Sequence, residues 1–316
     1  MSLRLFLISF VMMFFVTHLA NAQSCNFTMT DIDFGSVNLG LGGAPSTTGT
    51  FTANCTGTPN STITICPNIG DGTGGSTSGN PRLLANGPRN VSYNLYQSSG
   101  SIWGSYVWPY APRPPTLTLT LNALGAGAMT QTIAAQLTDI LSLAPSGIYQ
   151  SFYTGEHALI DYGYAPTQLC TAVSPRAASA PFTVLAHNNN SCNISTTSMS
   201  FGTRTDLNSA QTASNQISVT CTNGVKYSLS LNNGSNGGTS PSKRFMVNAA
   251  SGQKIIYGIY QNSGLTQQWG STAGADVISG TATGLTQVYS AYGQIPIQST
   301  PLGGSYADTV VITLTY

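Results

Sequence analysis

Two stretches of the sequence repeat each other and decide the fold. Residues 25–56 read CNFTMTDIDFGSVNLGLGGAPSTTGTFTANCT, and residues 192–222 read CNISTTSMSFGTRTDLNSAQTASNQISVTCT. Both open with Cys-Asn, carry a Phe-Gly pair and end with Cys-Thr, and their cysteines lie 30 and 29 residues apart. Because an internal repeat constrains architecture more strongly than any local pattern, the sequence predicts two domains of one fold.

The similarity continues beyond these stretches. Residues 93–97 read Tyr-Asn-Leu-Tyr-Gln and are followed by Trp-Gly-Ser at 103–105. In the second copy, residues 257–261 read Tyr-Gly-Ile-Tyr-Gln and are followed by Trp-Gly-Ser at 269–271. The copies differ in what precedes their first cysteine, where only the second has an alternating apolar segment.

The start of the chain has the features of a secretory signal peptide. Arg4 is followed by an apolar run at 5–16 and a small-x-small site at 20–22. We expect residues 1–22 to be removed, leaving a mature chain from Gln23 in an oxidising compartment. No later stretch has the roughly 18 consecutive apolar residues of a spanning helix, so the mature chain is expected to lack a membrane span.

The charge content excludes one class of partner. Only 6% of the residues are charged, and nine basic residues remain against nine acidic ones once Arg4 is removed. Nucleic acid is therefore a poor partner, because phosphate binding needs clustered Lys and Arg. The 41% of hydrophobic residues argues against disorder.

Six cysteines allow fifteen pairings, and the repeat reduces that number. If each copy closes its own loop, the pairs are Cys25–Cys55, Cys192–Cys221 and, from what remains, Cys66–Cys170. Zinc is the rival interpretation, but no CxxC or Cys/His spacing typical of a metal site occurs. We therefore expect three disulfides and no metal.

Short runs of period two predict an all-β protein with one β-sandwich in each copy. They lie at residues 61–66, 91–96, 116–121, 217–221, 226–231, 255–260 and 309–316, with Gly-rich turns between them. Residues 129–142 have some helical spacing, and we allow one short helix or an irregular loop there.

The repeated Cys-Asn, Phe-Gly and Cys-Thr pairs, the Tyr-x-x-Tyr-Gln block and the ending at 306–316 together resemble the spore coat protein U family. This family includes subunits of archaic, Csu-type chaperone-usher pili. The resemblance implies two immunoglobulin-like sandwiches that lack their last strand and leave an open groove. A periplasmic chaperone, and then a neighbouring subunit assembled by an outer-membrane usher, lends that strand. It also implies a first domain at 23–187 that binds and a second at 188–316 that is completed by a donor.

The alternating segment before Cys192 is interpreted through the same resemblance. Phe182, Val184 and Ala186 are expected to fill the groove of the first domain in cis, although they could equally be a last strand that happens to precede the linker. Since no comparable segment precedes Cys25, we expect a subunit that receives a strand without donating one, located at the pilus tip on the cell surface. Four alternating residues are expected to contact the chaperone or neighbouring subunit: Val310, Ile312, Leu314 and Tyr316.

Apolar loops of the first copy are the candidate surface-binding residues, because contiguous exposed apolar surface marks contact sites. The resemblance implies attachment to abiotic or apolar surfaces and biofilm formation. The alternative is that these side chains pack beneath the loops. Trp103 has a counterpart in Trp269 and is assigned to the scaffold, whereas Trp108 has none. The candidates are Leu39, Leu41, Ala44, Pro45, Val107, Trp108, Pro109, Tyr110, Leu124, Met129, Leu143, Ala144, Pro145 and Ile148.

Three other functions are weighed. A structural pilus or coat subunit would share the fold. A glycan-binding adhesin would use Tyr149, Tyr153, Tyr162 and Tyr164 near Asp161. Catalysis has little support, since Glu156, His157 and Asp161 form the only acid/base grouping and no nucleophile elbow or cofactor motif occurs in a suitable context. We expect no enzyme activity and no cofactor.

Overall fold

The computed structural model describes residues 23–40, 44–138, 143–167, 170–171 and 178–316. The predicted all-β fold is confirmed: two sandwiches of strands follow one another, and the only helix in these ranges is one turn of 3-10 helix at Gly155–His157. None of the described residues forms a helix long and apolar enough to cross a membrane. The expected signal segment, 1–22, lies outside the described residues.

The first sandwich has an eight-stranded and a four-stranded sheet. Its strands are β1 (Ser24–Met29), β2 (Ile32–Val37), β3 (Ser46–Thr56), β4 (Thr62–Ile69), β5 (Arg82–Asn86), β6 (Arg89–Tyr96), β7 (Leu117–Thr120), β8 (Ala126–Leu137), β9 (Gly147–Tyr153), β10 (Ala158–Tyr164), β11 (Ala178–Ser179) and β12 (Phe182–Asn188). The large sheet has the order β1-β3-β8-β6-β5-β9-β12-β2 and the small one β11-β10-β4-β7. Their inward side chains form one core, in which Phe51, Tyr93 and Ile133 are fully buried.

The second sandwich has a five-stranded and a three-stranded sheet. Its strands are β13 (Cys192–Thr196), β14 (Gln211–Cys221), β15 (Lys226–Leu231), β16 (Arg244–Val247), β17 (Lys254–Tyr260), β18 (Ile278–Thr281), β19 (Gln287–Ile295) and β20 (Ile312–Thr315). The sheets have the orders β13-β14-β19-β17-β16 and β18-β15-β20. A separate core forms here around Val219, Leu229 and Trp269.

The sequence repeat corresponds to a structural repeat. Strand β1 pairs with β3 so that Cys25 lies opposite Cys55, and β13 pairs with β14 so that Cys192 lies opposite Cys221. Disulfides join both pairs, and a third joins Cys66 to Cys170. These are the three pairs expected from the repeat.

The helical spacing within residues 129–142 proved misleading. Residues up to Leu137 belong to β8, in which Ile133, Ala135 and Leu137 are buried and the residues between them are exposed. A separation of four residues, as between Ile133 and Leu137, places side chains on one face of either a helix or a strand. Because Ala135, midway between them, is also buried, every second residue faces the core, which is the periodicity of a strand. Residues 139–142 lie outside the described residues.

A buried arginine occupies the same place in each sandwich, a feature that the sequence analysis missed. Arg82 is fully buried and donates to the carbonyls of Gly70 (2.7 Å), Ile69 (2.9 Å) and Trp103. Arg244 likewise donates to the carbonyl of Trp269, at 2.8 Å. The guanidinium group suits this position because its several donors satisfy carbonyls that no strand reaches.

A short, well-anchored connection joins the two sandwiches. The Thr222 hydroxyl donates to the carbonyl of Asn189 at 3.0 Å, just after β12. Across the junction, the side-chain amide of Asn223 donates to the carbonyl of Leu143 at 2.7 Å, and Asn223 also forms an isolated bridge with Pro145. Loops near residue 143 therefore lie at the end of the first sandwich that meets the second.

Candidate functional site

Strand β12 lies between β9 and β2 in the large sheet. It pairs antiparallel with β9, from Phe182 opposite Tyr153 to Asn188 opposite Gly147. It pairs parallel with β2, where Val184 lies opposite Ile32. Since β9 and β2 have no direct pairing in the described sheet order, removing β12 would leave two facing edges with unpaired backbone groups.

The inward side chains of β12 fill the space between these edges. Val184 and Ala186 are fully buried and Phe182 is 5% exposed, whereas the residues between them are half-buried. The Phe182 ring stacks on Tyr153 with 4.3 Å between centroids. Burial of these side chains contributes roughly 1.5–3 kcal/mol for each large one, so β12 is an integral part of the first core.

Asn188 closes one end of this filled groove. Its side-chain oxygen accepts from the amide of Leu39 (3.2 Å), and its side-chain nitrogen donates to the carbonyls of Ala144 (3.2 Å) and Pro145 (3.0 Å). Asn188 is 2% exposed. A buried amide of this kind is stable only because its hydrogen-bonding groups find partners.

The second sandwich has a counterpart of β9 in residues 304–310. Ala307 forms an antiparallel bridge with Val247 of β16, with backbone hydrogen bonds of 2.9 and 3.2 Å. In the first sandwich, Gln150 of β9 pairs with Ala85 of β5 in the same way. Ala307 of the second sandwich is therefore structurally equivalent to Gln150 of the first.

A tyrosine supports this register. The Tyr149 hydroxyl donates to the carbonyl of Pro145, four residues earlier, at 3.0 Å. The Tyr306 hydroxyl donates to the carbonyl of Leu302, also four residues earlier, at 2.7 Å. Tyr306 is therefore the equivalent of Tyr149, which agrees with the bridge.

The counterpart of β2 is the segment around Phe201. Phe201 meets Tyr257 edge-on with centroids 6.3 Å apart, as Phe34 of β2 meets Tyr93 at 6.4 Å. Residues 198–206 nevertheless form no strand in the described chain. The segments equivalent to β2 and β9 therefore both line the second groove, with no strand described between them.

A cleft of about 420 Å³, lined by both apolar and polar side chains, occupies that position. On its edge, the backbone amides and carbonyls of Tyr306, Asp308 and Val310 make no hydrogen bond with any described residue. Unpaired donors and acceptors beside apolar side chains are what an added strand satisfies. The lining includes Met199, Phe201, Ile217, Leu231, Met246, Tyr257, Ile259, Ala291, Tyr306, Val310 and Ile312.

Asp308 is the one carboxylate that lines this cleft, and its oxygens are bound within the domain. They accept from the Tyr257 hydroxyl (2.7 Å), from the Ser235 amide (3.0 Å) and from the Asn236 side chain (3.0 Å). Burial, and then the bond to Asp308, raises the pKa of Tyr257. Burial lowers the pKa of Arg244 nearby. Asp308 fastens the loop at residues 233–236 to the cleft edge.

The C-terminal residues expected to contact a chaperone or subunit divide into two groups. Val310 and Ile312 line the cleft. Leu314 lies in β20, which pairs with β15 in the other sheet, and Tyr316 is 59% exposed beyond it. The cleft edge is therefore formed by residues 304–310 rather than by the end of the chain.

The candidate surface-binding residues are only partly exposed. Leu41 lies outside the described residues. Three candidates are buried, which corrects the expectation for them: Leu39 (3% exposed), Trp108 (5%) and Ala144 (6%). Four are half-buried: Pro45, Tyr110, Met129 and Pro145. Six are exposed: Ala44, Val107, Pro109, Leu124, Leu143 and Ile148.

The buried candidates have specific partners. The Trp108 ring covers the guanidinium of Arg82, whose central carbon lies 4.6 Å from the ring centroid, and Tyr110 meets it edge-on. This contact is a cation–π interaction, and it explains why Trp108 faces inward. The backbones of Leu39 and Ala144 form hydrogen bonds with the buried side chain of Asn188, which holds both residues close to the core.

Two of the exposed candidates, Leu143 and Leu124, lie at opposite ends of the first sandwich. Leu143 lies at the junction with the second sandwich, where it binds Asn223. Leu124 lies at the other end, just before the start of β8. Strand β8 runs from there toward the junction, and its last residue, Leu137, is close in sequence to Leu143. Since β8 has 12 residues, it spans about 35 Å at the usual rise of an extended strand. The candidate loops therefore do not form one surface.

Three turns meet at the end remote from the junction, at residues 57–61, 122–125 and 164–167. The amide of Gly57 donates to the carbonyl of Gly125 (2.8 Å), and the Thr58 amide donates to the Tyr164 hydroxyl (2.8 Å). These contacts hold the turns together, and Leu124 is 90% exposed among them. Of this cluster, which we call the distal apex, the surface-binding residues expected from the sequence included only Leu124. Its exposed apolar residues are Pro59, Ala123, Leu124, Ala165 and Pro166.

The residues considered for a sugar site are not available to a ligand as a group. Tyr149, Tyr153 and Asp161 are fully buried. Asp161 accepts from the Asn68 side chain at 2.9 Å, and the Tyr164 hydroxyl accepts from the Thr58 amide. These aromatic rings therefore belong to the scaffold.

The acid/base grouping also separates. His157 lies 3.0 Å from Asp71 rather than bonding the buried Asp161. Within the described ranges, no three His, Cys, Asp or Glu side chains are close enough together to hold a metal ion.

Sequence comparison now gives the family. Residues 11–154 and 178–313 both match the Spore Coat Protein U domain. The chain belongs to this family, with two copies of its domain. The second match begins at residue 178, so β11 and β12 belong by sequence to the second copy, although they complete the first sandwich. No curated protein matches the sequence.

A solved structure shares the fold. The chain is similar to the CsuC-CsuE chaperone-tip adhesion subunit pre-assembly complex of Acinetobacter baumannii, with a TM-score of 0.55 and 15% identity over 93% of this chain and 100% of the other. The CupB6 tip adhesin of Pseudomonas aeruginosa has a TM-score of 0.42 and 14% identity, over 94% of each chain. At these identities the comparison with the first structure supports the fold.

Proposed function

We propose that this protein is the tip adhesin of a chaperone-usher pilus, exported through the periplasm to the cell surface. The first sandwich would attach to an apolar surface and promote biofilm formation. The second would be held first by a periplasmic chaperone and then, at the outer-membrane usher, by a strand from the adjacent subunit. Membership of the Spore Coat Protein U family and the shared fold support this assignment.

One contrast carries the proposal: the same groove is filled in the first sandwich and open in the second. Strand β12 comes from within the chain, so the first sandwich needs no partner. The second presents the unpaired backbone groups of Tyr306, Asp308 and Val310 beside a cleft with apolar side chains in its lining. Such an edge favours addition of a strand from another chain. A subunit with one acceptor site and one complete domain suits the end of a fibre.

The distal apex is the proposed attachment surface. Its exposed residues, such as Leu124 and Pro166, are apolar and are set in turns fixed by hydrogen bonds. Rigid apolar side chains lose little conformational entropy on contact and release water from an apolar surface. Because the distal apex lies about 35 Å from the junction by the length of β8, the second sandwich leaves it clear.

Hydrogen exchange on the purified full chain tests the open groove. The amides of Tyr306, Asp308 and Val310 should exchange rapidly, while their equivalents Tyr149 and Ser151 are protected. Binding of a donor peptide should protect the first set. Equal protection of both sets in the isolated chain would refute the open groove. Immunogold labelling along whole fibres, rather than at their ends, would instead favour a structural subunit.

A further inference from the structure

The filled groove predicts the chemistry of the strand that fills the open one. Resting on the proposed function, we propose that the second sandwich accepts a segment with alternating inward apolar residues that ends in an inward asparagine. The partner would be a subunit whose extension carries that asparagine four residues before its first cysteine, as Asn188 precedes Cys192. The side-chain amide would close the cleft as Asn188 closes the first groove.

The register of β12 shows where each donor residue would lie. In the first sandwich, Phe182, Val184, Ala186 and Asn188 lie opposite Tyr153, Ser151, Tyr149 and Gly147. The equivalence of Tyr306 with Tyr149 places these four donor positions opposite Val310, Asp308, Tyr306 and Gly304. The first three of these line the cleft.

The end at Gly304 repeats the architecture that surrounds Asn188. Gly147 and Gly304 both have positive φ, and a Cβ on either would collide with an asparagine side chain, Asn86 in the first sandwich and Asn248 in the second. At either position, a residue with a Cβ would require this asparagine side chain to move. The incoming backbone therefore meets the same local surface at this end of both grooves.

The second sandwich also has carbonyl oxygens in position to accept hydrogen bonds from the side-chain amide of the donor asparagine. Asn188 donates to the carbonyls of Ala144 and Pro145, and their equivalents are Pro301 and Leu302. The Leu302 carbonyl accepts from Tyr306 just as the Pro145 carbonyl accepts from Tyr149. The Pro301 carbonyl accepts no hydrogen bond from the described residues. An inward amide would bind this pair of carbonyls, whereas an apolar residue would leave the Pro301 carbonyl without a partner.

The donor begins near the C-terminal end of the second sandwich. Before β12, the alternation continues through Ala180, which is 1% exposed, to Ala178, which pairs with Ile160 of β10. Ile160 corresponds to Leu314 of β20, because both strands pair with equivalent neighbours, β4 and β15. A donor fused after Tyr316 therefore needs only a short turn to enter the cleft.

This geometry defines the experiment. The full chain is extended after Tyr316 by four Gly/Ser residues and a copy of residues 178–189. A matched extension replaces the residue copied from Asn188 with Leu, and a third replaces the residue copied from Val184 with Asp. Proteolysis of the second sandwich under native conditions is then measured for each.

The first extension should slow cleavage strongly relative to the unextended chain. The Leu extension should be cleaved about tenfold faster than the Asn extension, since a lost buried hydrogen-bond partner has an effect of this size. The Asp extension should give no protection. Equal protection by the Asn and Leu extensions would overturn the asparagine proposal while leaving strand acceptance intact. Absence of protection by both would instead refute the proposed function.

Discussion

At the scale of single residues, the two sandwiches use the same buried polar contacts to fix their loops. Arg82 and Arg244 each bind carbonyls that the strands leave open, among them that of a fully buried tryptophan. Ser151 accepts from the amide of Gly74 at 3.0 Å, and Asp308, its equivalent, accepts from the Asn236 side chain. Because these groups are buried or half-buried, each lost partner leaves an unsatisfied neighbour.

Replacing Asp308 tests the loop anchor beside the cleft. Asp308→Ala removes the acceptor for Tyr257, Ser235 and Asn236. We expect the second sandwich to lose about 2–3 kcal/mol of stability, measured by denaturant unfolding of the full chain. Asp206→Ala, in an exposed turn, is the matched control and should change stability by less than about 0.5 kcal/mol. An equal loss of stability in both variants would contradict the role of Asp308 as the anchor of this loop.

A buried pair of tyrosines predicts a pH dependence. The Tyr93 and Tyr153 hydroxyls bond each other in the core, and burial raises the pKa of both. Above pH 10 the unfolded state releases protons that the folded state retains, so the stability of the first sandwich falls as pH rises, by up to about 1.4 kcal/mol per pH unit for each group. Below pH 10 this contribution is fully present.

Thermal unfolding between pH 8 and 12 measures this dependence. Tyr93→Phe removes one titrating group of the buried pair and should make the fall shallower above pH 10. A slope that Tyr93→Phe does not alter would show that other groups cause the loss of alkaline stability.

At the scale of elements, one strand decides which domain is complete. By sequence β12 belongs to the second family copy, yet it forms the edge-joining strand of the first sandwich. The segment just before Cys192 is thereby held in the first sandwich by hydrogen bonds and core packing. The second sandwich has the same two edges without the strand.

A charge inside β12 should unfold the first sandwich. Val184→Asp places a carboxylate in a fully buried apolar position, which costs more than about 4 kcal/mol when no partner is present. Leu185→Asp, on the half-buried outward face of the same strand, is the control and should be tolerated much better. Exposure of the β9 amides to hydrogen exchange would report the loss of β12. Similar exchange in both variants would show that β12 is dispensable.

At the scale of the whole molecule, exposed apolar residues at opposite ends of the first sandwich have different surroundings. Leu124 stands in the distal apex, whereas Leu143 lies beside the second sandwich. If the second sandwich leads back toward the fibre, it covers the junction end of the first sandwich. Only the distal apex can then contact a flat surface across its whole width.

Attachment measurements can separate the two ends. Leu124→Ser together with Pro166→Ser should reduce binding of the donor-completed full chain to polystyrene several-fold, because the contact loses apolar area. Leu143→Ser together with Ile148→Ser makes a change of similar size at the junction end and should have little effect. The reverse result would move the attachment surface to the junction.

The sequence by itself determined the all-β class, the two-fold repeat, the three disulfides and the alternation of Phe182, Val184 and Ala186. Periodicity and internal repetition can be read from the order of the residues without knowing which segments are in contact. Only the tertiary structure decided which loops share an end, why Trp108 is buried over Arg82 and where the open cleft lies. Those outcomes depend on contacts between segments far apart in the chain. The helical spacing near Ile133 failed for the same reason, because its neighbouring strands, not its own pattern, select the period.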